Sequence, residues 1–396
     1  MFEAFRETDY RRFWTAQFIS NIGSWMQGVA QGWLVYRLTD SPFLLGFVGF
    51  ANAIPSILLM LPGGVLADQF DRRRTVRLSQ WAQALSAFLL ALSIRTGHIT
   101  VWQIVIAALV NGTAMSFSAP AYQAMVVDLL DDRTRLSNAV AMNSLQFNLS
   151  RAVGPLFAGL TLSLYGPFWC FFFNAISFLP LIWVLKRLTH RQSYDAPGGA
   201  MWSRLAEGFA YVRAHRIVLV FLGIVAAASL FGFPYLNLMP IMARALFRND
   251  ASGLGWLMGG IGGGALVASL ALSVRTPPSR RMNVLTIGSL TVFGLALGAV
   301  SLVRAEAIVI ALLFLCGASM VTCLALCNTM IQRLVPDEMR GRVLSMYTFS
   351  FFAFLPFGNL LSGILAEHRG IKVTLLALGG GLVTSAIVAV VSERAG

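Results

Sequence analysis

Few residues in this chain of 396 could do chemistry, and most of them are charges placed against long apolar runs. The first group is Asp68, Arg72 and Arg73, with Gly64 four residues ahead of the carboxylate. A carboxylate one turn before an arginine, at the end of an apolar segment, can pair with a cation or cap a neighbouring helix N-terminus. Asp128, at the end of another apolar run, is an expected partner for Arg72. Such a cluster is a latch if it forms in only one conformation; otherwise it merely fixes topology. The second group is Arg151, the one basic residue expected inside a membrane span, followed by Gly154, Pro155 and Gly159. An arginine near the bilayer centre costs at least ~2.5–3.5 kcal/mol on insertion scales, so it needs a partner, water or a task. It either bonds the carbonyls that Pro155 leaves without a donor, or it attracts an anionic group or tunes a proton site. The third group is a polar stripe in the first apolar segment: Gln17, Ser20, Asn21, Ser24, Gln27, Gly28 and Gln31 fall on one helical arc. That face must meet protein or a water-filled cavity. Asn21, Ser24, Gln27, Gln31, Asn111, Asn143, Asn148, Arg151, Asn237 and Asn328 are the candidate cavity residues.

Other chemistry is missing from the sequence. All 17 carboxylates sit at span ends or in loops, as do His98, His190, His215 and His368, so no titratable acid is expected mid-membrane, where proton-coupled carriers usually keep one. There is no G-x-x-x-x-G-K-[ST] phosphate loop and no nucleophile–base pair. Cys170, Cys316, Cys323 and Cys327 lie in apolar segments without metal-ligand spacing and read as small buried residues. No cofactor and no metal are expected, and the chain does not read as an enzyme.

The elements that position these groups follow from composition. Hydrophobic residues make up 57% and charged residues 12%, against about 25% charged in soluble domains; the surface of a soluble fold could not be covered. Apolar runs of about 20 residues recur and read as membrane spans. They fall near 13–36, 43–67, 75–94, 99–121, 139–162 and 166–186, then 217–242, 253–274, 283–303, 305–327, 343–366 and 371–392. This predicts an all-α integral membrane protein, with residues 1–186 as one six-helix bundle and 217–396 as another. Residues 187–216 form a linker that contains Ala196-Pro197-Gly198-Gly199 and an interfacial helix presenting Trp202, Leu205, Phe209 and Val212. The net charge of +13 comes from arginines that punctuate the spans rather than forming one patch, which argues against nucleic-acid binding. With both termini and the linker in the cytoplasm, 22 basic residues lie inside and 7 outside, a positive-inside pattern. The first span is too long for a signal-peptide core and is expected to stay in the protein.

The halves repeat weakly. Ser41–Phe47 matches Asp250–Trp256 at an offset of 209, and Gly112, Asp132 and Arg135 match Gly317, Asp337 and Arg340 at 205. Two six-span repeats of the same sense imply a pseudo-two-fold axis along the membrane normal.

With these residues in view, Gly64-Val65-Leu66-Ala67-Asp68-Gln69-Phe70-Asp71-Arg72-Arg73 resembles the signature loop of the major facilitator superfamily, with Gln69 and Asp71 departing from the usual Arg and Gly. The second-half stretch Ser273–Arg281 keeps basic residues but no carboxylate, so only the first copy is expected to gate. Ser150-Arg151-Ala152-Val153-Gly154-Pro155-Leu156-Phe157-Ala158-Gly159 resembles the superfamily's antiporter motif, with Ser150 and Ala158 replacing glycines. Trp33-Leu34-Val35-Tyr36, Leu38-Thr39-Asp40-Ser41-Pro42 and Arg151 narrow the resemblance to the enterobactin-exporter-like transmembrane secretion effectors and related macrolide efflux pumps. The resemblance implies two six-helix bundles with a pocket between them, lined by helices 1, 4, 7 and 10. It also implies a monomer in the bacterial cytoplasmic membrane that exports a lipophilic or amphiphilic small molecule, a drug-like compound or a siderophore, by alternating access with proton antiport. Tyr347, Phe349, Phe351, Phe352, Phe354 and Phe357 either line a lipophilic pocket or pack against helices and lipid. Metabolite uptake in the same fold and a non-transporting receptor or scaffold are the alternatives.

Overall fold

The computed structural model describes the backbone of residues 3–69, 71–130, 132–188, 209–247, 250–274 and 278–394. Among these residues all regular structure is helical. In chain order the helices are α1 Thr8–Thr39, α2 Pro42–Gln69, α3 Arg72–Arg95, α4 Val101–Asp128, α5 Leu136–Tyr165, α6 Pro167–Ser177 and α7 Leu179–Arg187. There follow α8 Arg216–Ala227, α9 Met239–Leu246, α10 Asp250–Val274, α11 Ser279–Val300, α12 Glu306–Leu334 and α13 Asp337–Arg394. Backbone polar groups have no water to bond within a bilayer, and helices satisfy them internally.

Among the described residues, eight helical stretches are long and apolar enough to cross a membrane, counting α6–α7 as one, α8–α9 as one and α13 as one. α13 breaks at Gly370, whose φ of 79° and ψ of 164° lie outside the helical region; the reading of spans 343–366 and 371–392 splits there. The twelve-span expectation further counts α1, α3 and α5, which have 32, 24 and 30 residues. Each carries polar residues within its length, such as Gln17, Gln27 and Gln31 in α1, Gln80 and Gln83 in α3, and Asn143, Asn148 and Arg151 in α5.

The stretch expected as one span over 217–242 is interrupted. Between α8 and α9 lie a π-helical turn over Ala228–Gly232 and a 3₁₀ turn over Pro234–Leu238. Pro234 supplies no N–H and cannot continue an α-helix; the wide and tight turns absorb the mismatch. The interfacial helix expected over 201–215 lies mostly outside the described residues. Its visible end, 209–214, is helical, with Phe209 60% exposed and Val212 buried.

The chain falls into two compact units: Met1–Asp40 with Ala51–Pro197 and Asn249–Trp256, and Ser41–Phe50 with Gly198–Arg248 and Leu257–Gly396. In the first unit Tyr10, Phe13, Val76, Met125, Ala139 and Leu181 form a continuous apolar cluster, which Tyr122 covers by stacking on Phe13 at 4.9 Å. In the second, Tyr235, Met282 and Phe293 are fully enclosed, and the Tyr235 and Phe293 rings meet at 5.8 Å.

Each unit contains the same close helix crossing. A Cβ placed on Gly112 of α4 would lie 2.0 Å from the Asn52 carbonyl of α2, and one on Gly317 of α12 would lie 2.0 Å from the Ile261 carbonyl of α10. Gly112 and Gly317 are equivalent at the offset of 205, and Asn52 and Ile261 at 209. The repeat is thus present in backbone packing as well as in sequence, and small residues permit the approach that packing in lipid favours.

Candidate functional site

The loop between α2 and α3 shapes the first site. Asp71 caps α3: its Oδ1 accepts from the backbone N–H groups of Arg73 at 2.8 Å and Arg74 at 3.2 Å. This satisfies two of the four amides a helix start leaves open, so the residue that departs from the family pattern has a structural task. The cap holds Arg72 and Arg73 in the first turn of α3. Arg72 Nη1 reaches Asp128 Oδ2 at the end of α4 at 2.9 Å, with both side chains about three-quarters buried at 23% and 24% exposure. Arg73 donates to the Leu188 carbonyl just past α7. The sequence reading and the structure thus bring Arg72 and Asp128 together. Gly64 and Asp68 lie in α2 beyond the residues whose side chains are described.

A second polar cluster in the same unit escaped the sequence reading. Arg135 donates to Glu7 and lies 3.3 Å from Asp132. Asn138 Oδ1 accepts from the Ala4 amide at 3.0 Å, and Tyr10 donates to the Ala139 carbonyl at 2.9 Å. Thr134 donates to Asp132 through its hydroxyl and its amide, and with the Arg135 charge this holds that exposed carboxyl below its usual range. The chain start is thereby tied to the start of α5. The only hint in sequence was that Asp132 and Arg135 recur in the second half; Glu7 and Asn138 carried none.

The polar stripe of α1 divides. With 100° per residue, Ser20, Gln27 and Gln31 occupy one edge and are buried. Ser20 donates to Gln80 of α3 at 3.2 Å, and Gln27 accepts from Asn174 of α6 at 2.7 Å. That edge packs helices. Gln17, Asn21 and Ser24 lie about 60° round the helix and are only partly buried, and Gly28 is exposed with no atom within 4 Å of where its Cβ would be. Gln17 donates to Asn21 at 3.0 Å and Ser24 to the Ser20 carbonyl at 2.9 Å, both within α1. This edge is the more accessible of the two, although Gln17 Oε1 is itself sealed from solvent.

The other candidates scatter. Asn143 accepts from Tyr10 at 3.1 Å and belongs to the α1–α5 contact. Asn148 donates to the Ser144 carbonyl at 2.8 Å, and Asn328 accepts from Gln332. Asn111 is partly buried in α4. Asn237 lies in the 3₁₀ turn before α9, beside Gly49. Of the α13 aromatics, Tyr347 bonds the Leu324 carbonyl at 3.1 Å, and Phe351 meets Phe233 at 4.7 Å and Phe352 at 5.3 Å. Phe349, Phe354 and Phe357 are exposed.

Arg151 sits at the midpoint of α5, and two of its guanidinium nitrogens are sealed from solvent. The next turn is pressed against neighbours. A Cβ on Gly154 would lie 2.6 Å from Trp25 Cβ of α1, and one on Gly159 would lie 2.6 Å from Gly255 Cα of α10. Pro155 sits inside α5, leaving the carbonyl one turn before it without its usual donor. The motif therefore fixes α5 against α1 and α10 one turn beyond a half-buried arginine.

The described residues thus form a helical, multi-pass membrane protein with charged loop clusters and a polar face on α1. Comparison with known proteins agrees. The chain belongs to the transmembrane secretion effector family of the major facilitator superfamily, whose sequence profile matches residues 1–394. It is 26% identical to the staphyloferrin A transporter of Staphylococcus aureus, over 93% of this chain and 92% of that protein. It is 25% identical to the multidrug efflux pump Tap of Mycolicibacterium fortuitum (96% and 94%) and 25% identical to the enterobactin exporter EntS of Shigella flexneri (86% and 80%). In fold it is similar to a bacterial homologue of the lysosomal transporter Spinster in an inward-facing, occupied conformation, with a TM-score of 0.78 at 12% identity over 100% of this chain and 98% of that one.

Proposed function

We propose that this transporter exports a lipophilic or amphiphilic small molecule, a siderophore or a drug-like compound, by alternating access coupled to proton entry. The observation that carries the reading is the divided face of α1: one edge is spent on helix packing, while Asn21 and Ser24 stay partly accessible and Gly28 is exposed. Polar groups left open in a membrane helix line water or ligand rather than lipid. Relatives named for siderophore transport, siderophore export and multidrug efflux support the substrate class and the direction. The Arg72–Asp128 pair, with Gly64, Asp68 and Arg73, serves as a latch that forms in one conformation and breaks in the other. Arg151 attracts the anionic part of the substrate or tunes the site of the coupling proton. The protein works as a monomer in the bacterial cytoplasmic membrane, with both termini and the segment 187–216 in the cytoplasm, and residues 1–186 and 217–396 act as the two helical bundles.

The test is a compound panel on matched strains lacking or overproducing the protein. Overproduction is expected to raise tolerance to a subset of amphiphilic compounds, or to raise secretion of a siderophore, with the reverse in the deletion strain. Higher cellular content of the affected compound in the overproducing strain would instead indicate uptake.

A further inference from the structure

The start of α2 runs antiparallel along α13. A Cβ on Gly46 would lie 2.4 Å from the Asn359 carbonyl and 2.8 Å from Gly363 Cα, and the Phe50 and Phe357 rings meet at 6.4 Å. Asn359, Gly363 and Glu367 recur every four residues and so share one face of α13. At the end of that face Glu367 closes the contact: its Oε2 accepts from Ser41 Oγ at 2.9 Å and from the Phe43 amide at 2.9 Å. Ser41 Oγ in turn accepts from the Leu44 amide at 3.3 Å. The open amides of α2 are thus capped in two layers, by Ser41 and then by a carboxylate from another helix. The positive end of the helix dipole attracts a carboxylate placed there. Glu367 is also exposed, so protons can reach it.

We propose that Glu367 is a proton-operated latch: as a carboxylate it holds the first turns of α2 on α13, and on taking up a proton it releases them. The direction of transport served by this latch rests on the export reading above; the latch itself does not. A neutral carboxyl accepts more weakly than a carboxylate and gains nothing from the helix dipole. The sign is therefore fixed: the contact is tight above the carboxyl's titration and loosens as pH falls through it. In an exporter driven by proton entry, an acid exterior would open this side, which suits a chain whose described helices hold no carboxylate at mid-span. No other titratable side chain stands on Ser41–Phe50. Asp40 directly precedes Ser41, and the charged or titratable groups at this end of α13 and of the elements beside it include His368, Arg369, Lys372, Arg244, Arg304 and Glu306.

The test uses the full-length protein in lipid nanodiscs carrying Leu45→Cys, a position 3% exposed in the closed contact, with and without Glu367→Gln. Maleimide labelling is followed from pH 7.5 to pH 4.5, and the ratio of the two rates at each pH cancels the thiol's own titration. The Glu367→Gln protein is expected to label at least about twofold faster at pH 7.5, the low end of what an N-cap is worth, and the ratio is expected to approach one at acid pH. Ser41→Ala, which keeps Glu367 but removes one donor, is expected to speed labelling at pH 7.5. A ratio that stays constant across the range, or unchanged labelling in Ser41→Ala, overturns the proposal. No substrate is needed, so the latch can fail while the export reading stands, and the reverse.

Discussion

Single residues separate fixed structure from moving parts. Arg72 and Asp128 are mutually bonded but a quarter exposed, so solvent still screens the pair and keeps its contribution to stability modest. A latch can be weak in this way, because it must break on every cycle. Arg72→Ala and Asp68→Asn are expected to lower transport about tenfold or more while membrane abundance stays within about twofold of the parent; a latch worth ~1.4 kcal/mol accounts for a tenfold effect. Immunoblots beside initial-rate transport measure both, and wild-type rates in both variants would leave the cluster with a topological role alone. Arg151 makes the opposite case, a half-buried arginine at mid-helix with two guanidinium nitrogens sealed from solvent. Arg151→Lys keeps charge and is expected to keep part of the transport, whereas Arg151→Gln is expected to insert normally and lose it. Normal transport in the Gln variant would remove the functional role, and loss of folded protein in both would make the residue structural. The Arg72–Asp128 pair could be read from the sequence because opposite charges at the ends of apolar runs face few alternatives. The Glu7–Arg135 contact could not, since Glu7 stands in a short polar stretch with no periodicity and its partner lies 128 residues away.

For the helices, hydropathy was enough to find the runs but not their interruptions. The π and 3₁₀ turns between α8 and α9 fall inside an unbroken apolar stretch, where periodicity has no polar residue to mark a change. Within the α1 stripe, the choice between packing and cavity was open in sequence because both use the same polar residues. The structure divides them by angle: Gln27 and Ser20 find Asn174 and Gln80, while Asn21 and Ser24 do not reach another helix in their described bonds. The glycines of α5 were legible as close-approach residues, but their partners were not. Gly154→Leu would drive a side chain into Trp25 and the Ile22 carbonyl of α1. Overpacking of this kind costs about 1–3 kcal/mol, so a clear fall in thermal stability in detergent is expected. Gly28→Ala, on the open face with nothing within 4 Å, is expected to leave stability unchanged. Equal melting temperatures for Gly154→Leu and the parent would contradict the α1–α5 packing described here.

At the scale of the whole molecule, the membrane class follows from composition, because a chain that is 12% charged cannot cover a soluble surface. The repeat was faint in sequence yet plain in the paired glycine crossings, since one small residue per crossing is all that close packing requires. Orientation follows from loop charge and predicts that a cysteine at His215 labels only from the cytoplasmic side and one at Arg304 only from outside; both positions are exposed, and the reverse pattern in intact cells would invert the topology. The substrate is not legible at any scale, because amides and hydroxyls along one helix suit many ligands. The central claim is export driven by proton entry. It is tested most directly by reconstituting the purified protein in liposomes, adding an amphiphilic substrate found in the compound panel, and imposing an acid interior. With molecules whose cytoplasmic side faces the bath, proton exit is expected to drive substrate inward, and accumulation should collapse when a protonophore removes the gradient. Substrate movement along the proton flow, or accumulation unaffected by the protonophore, would contradict the account.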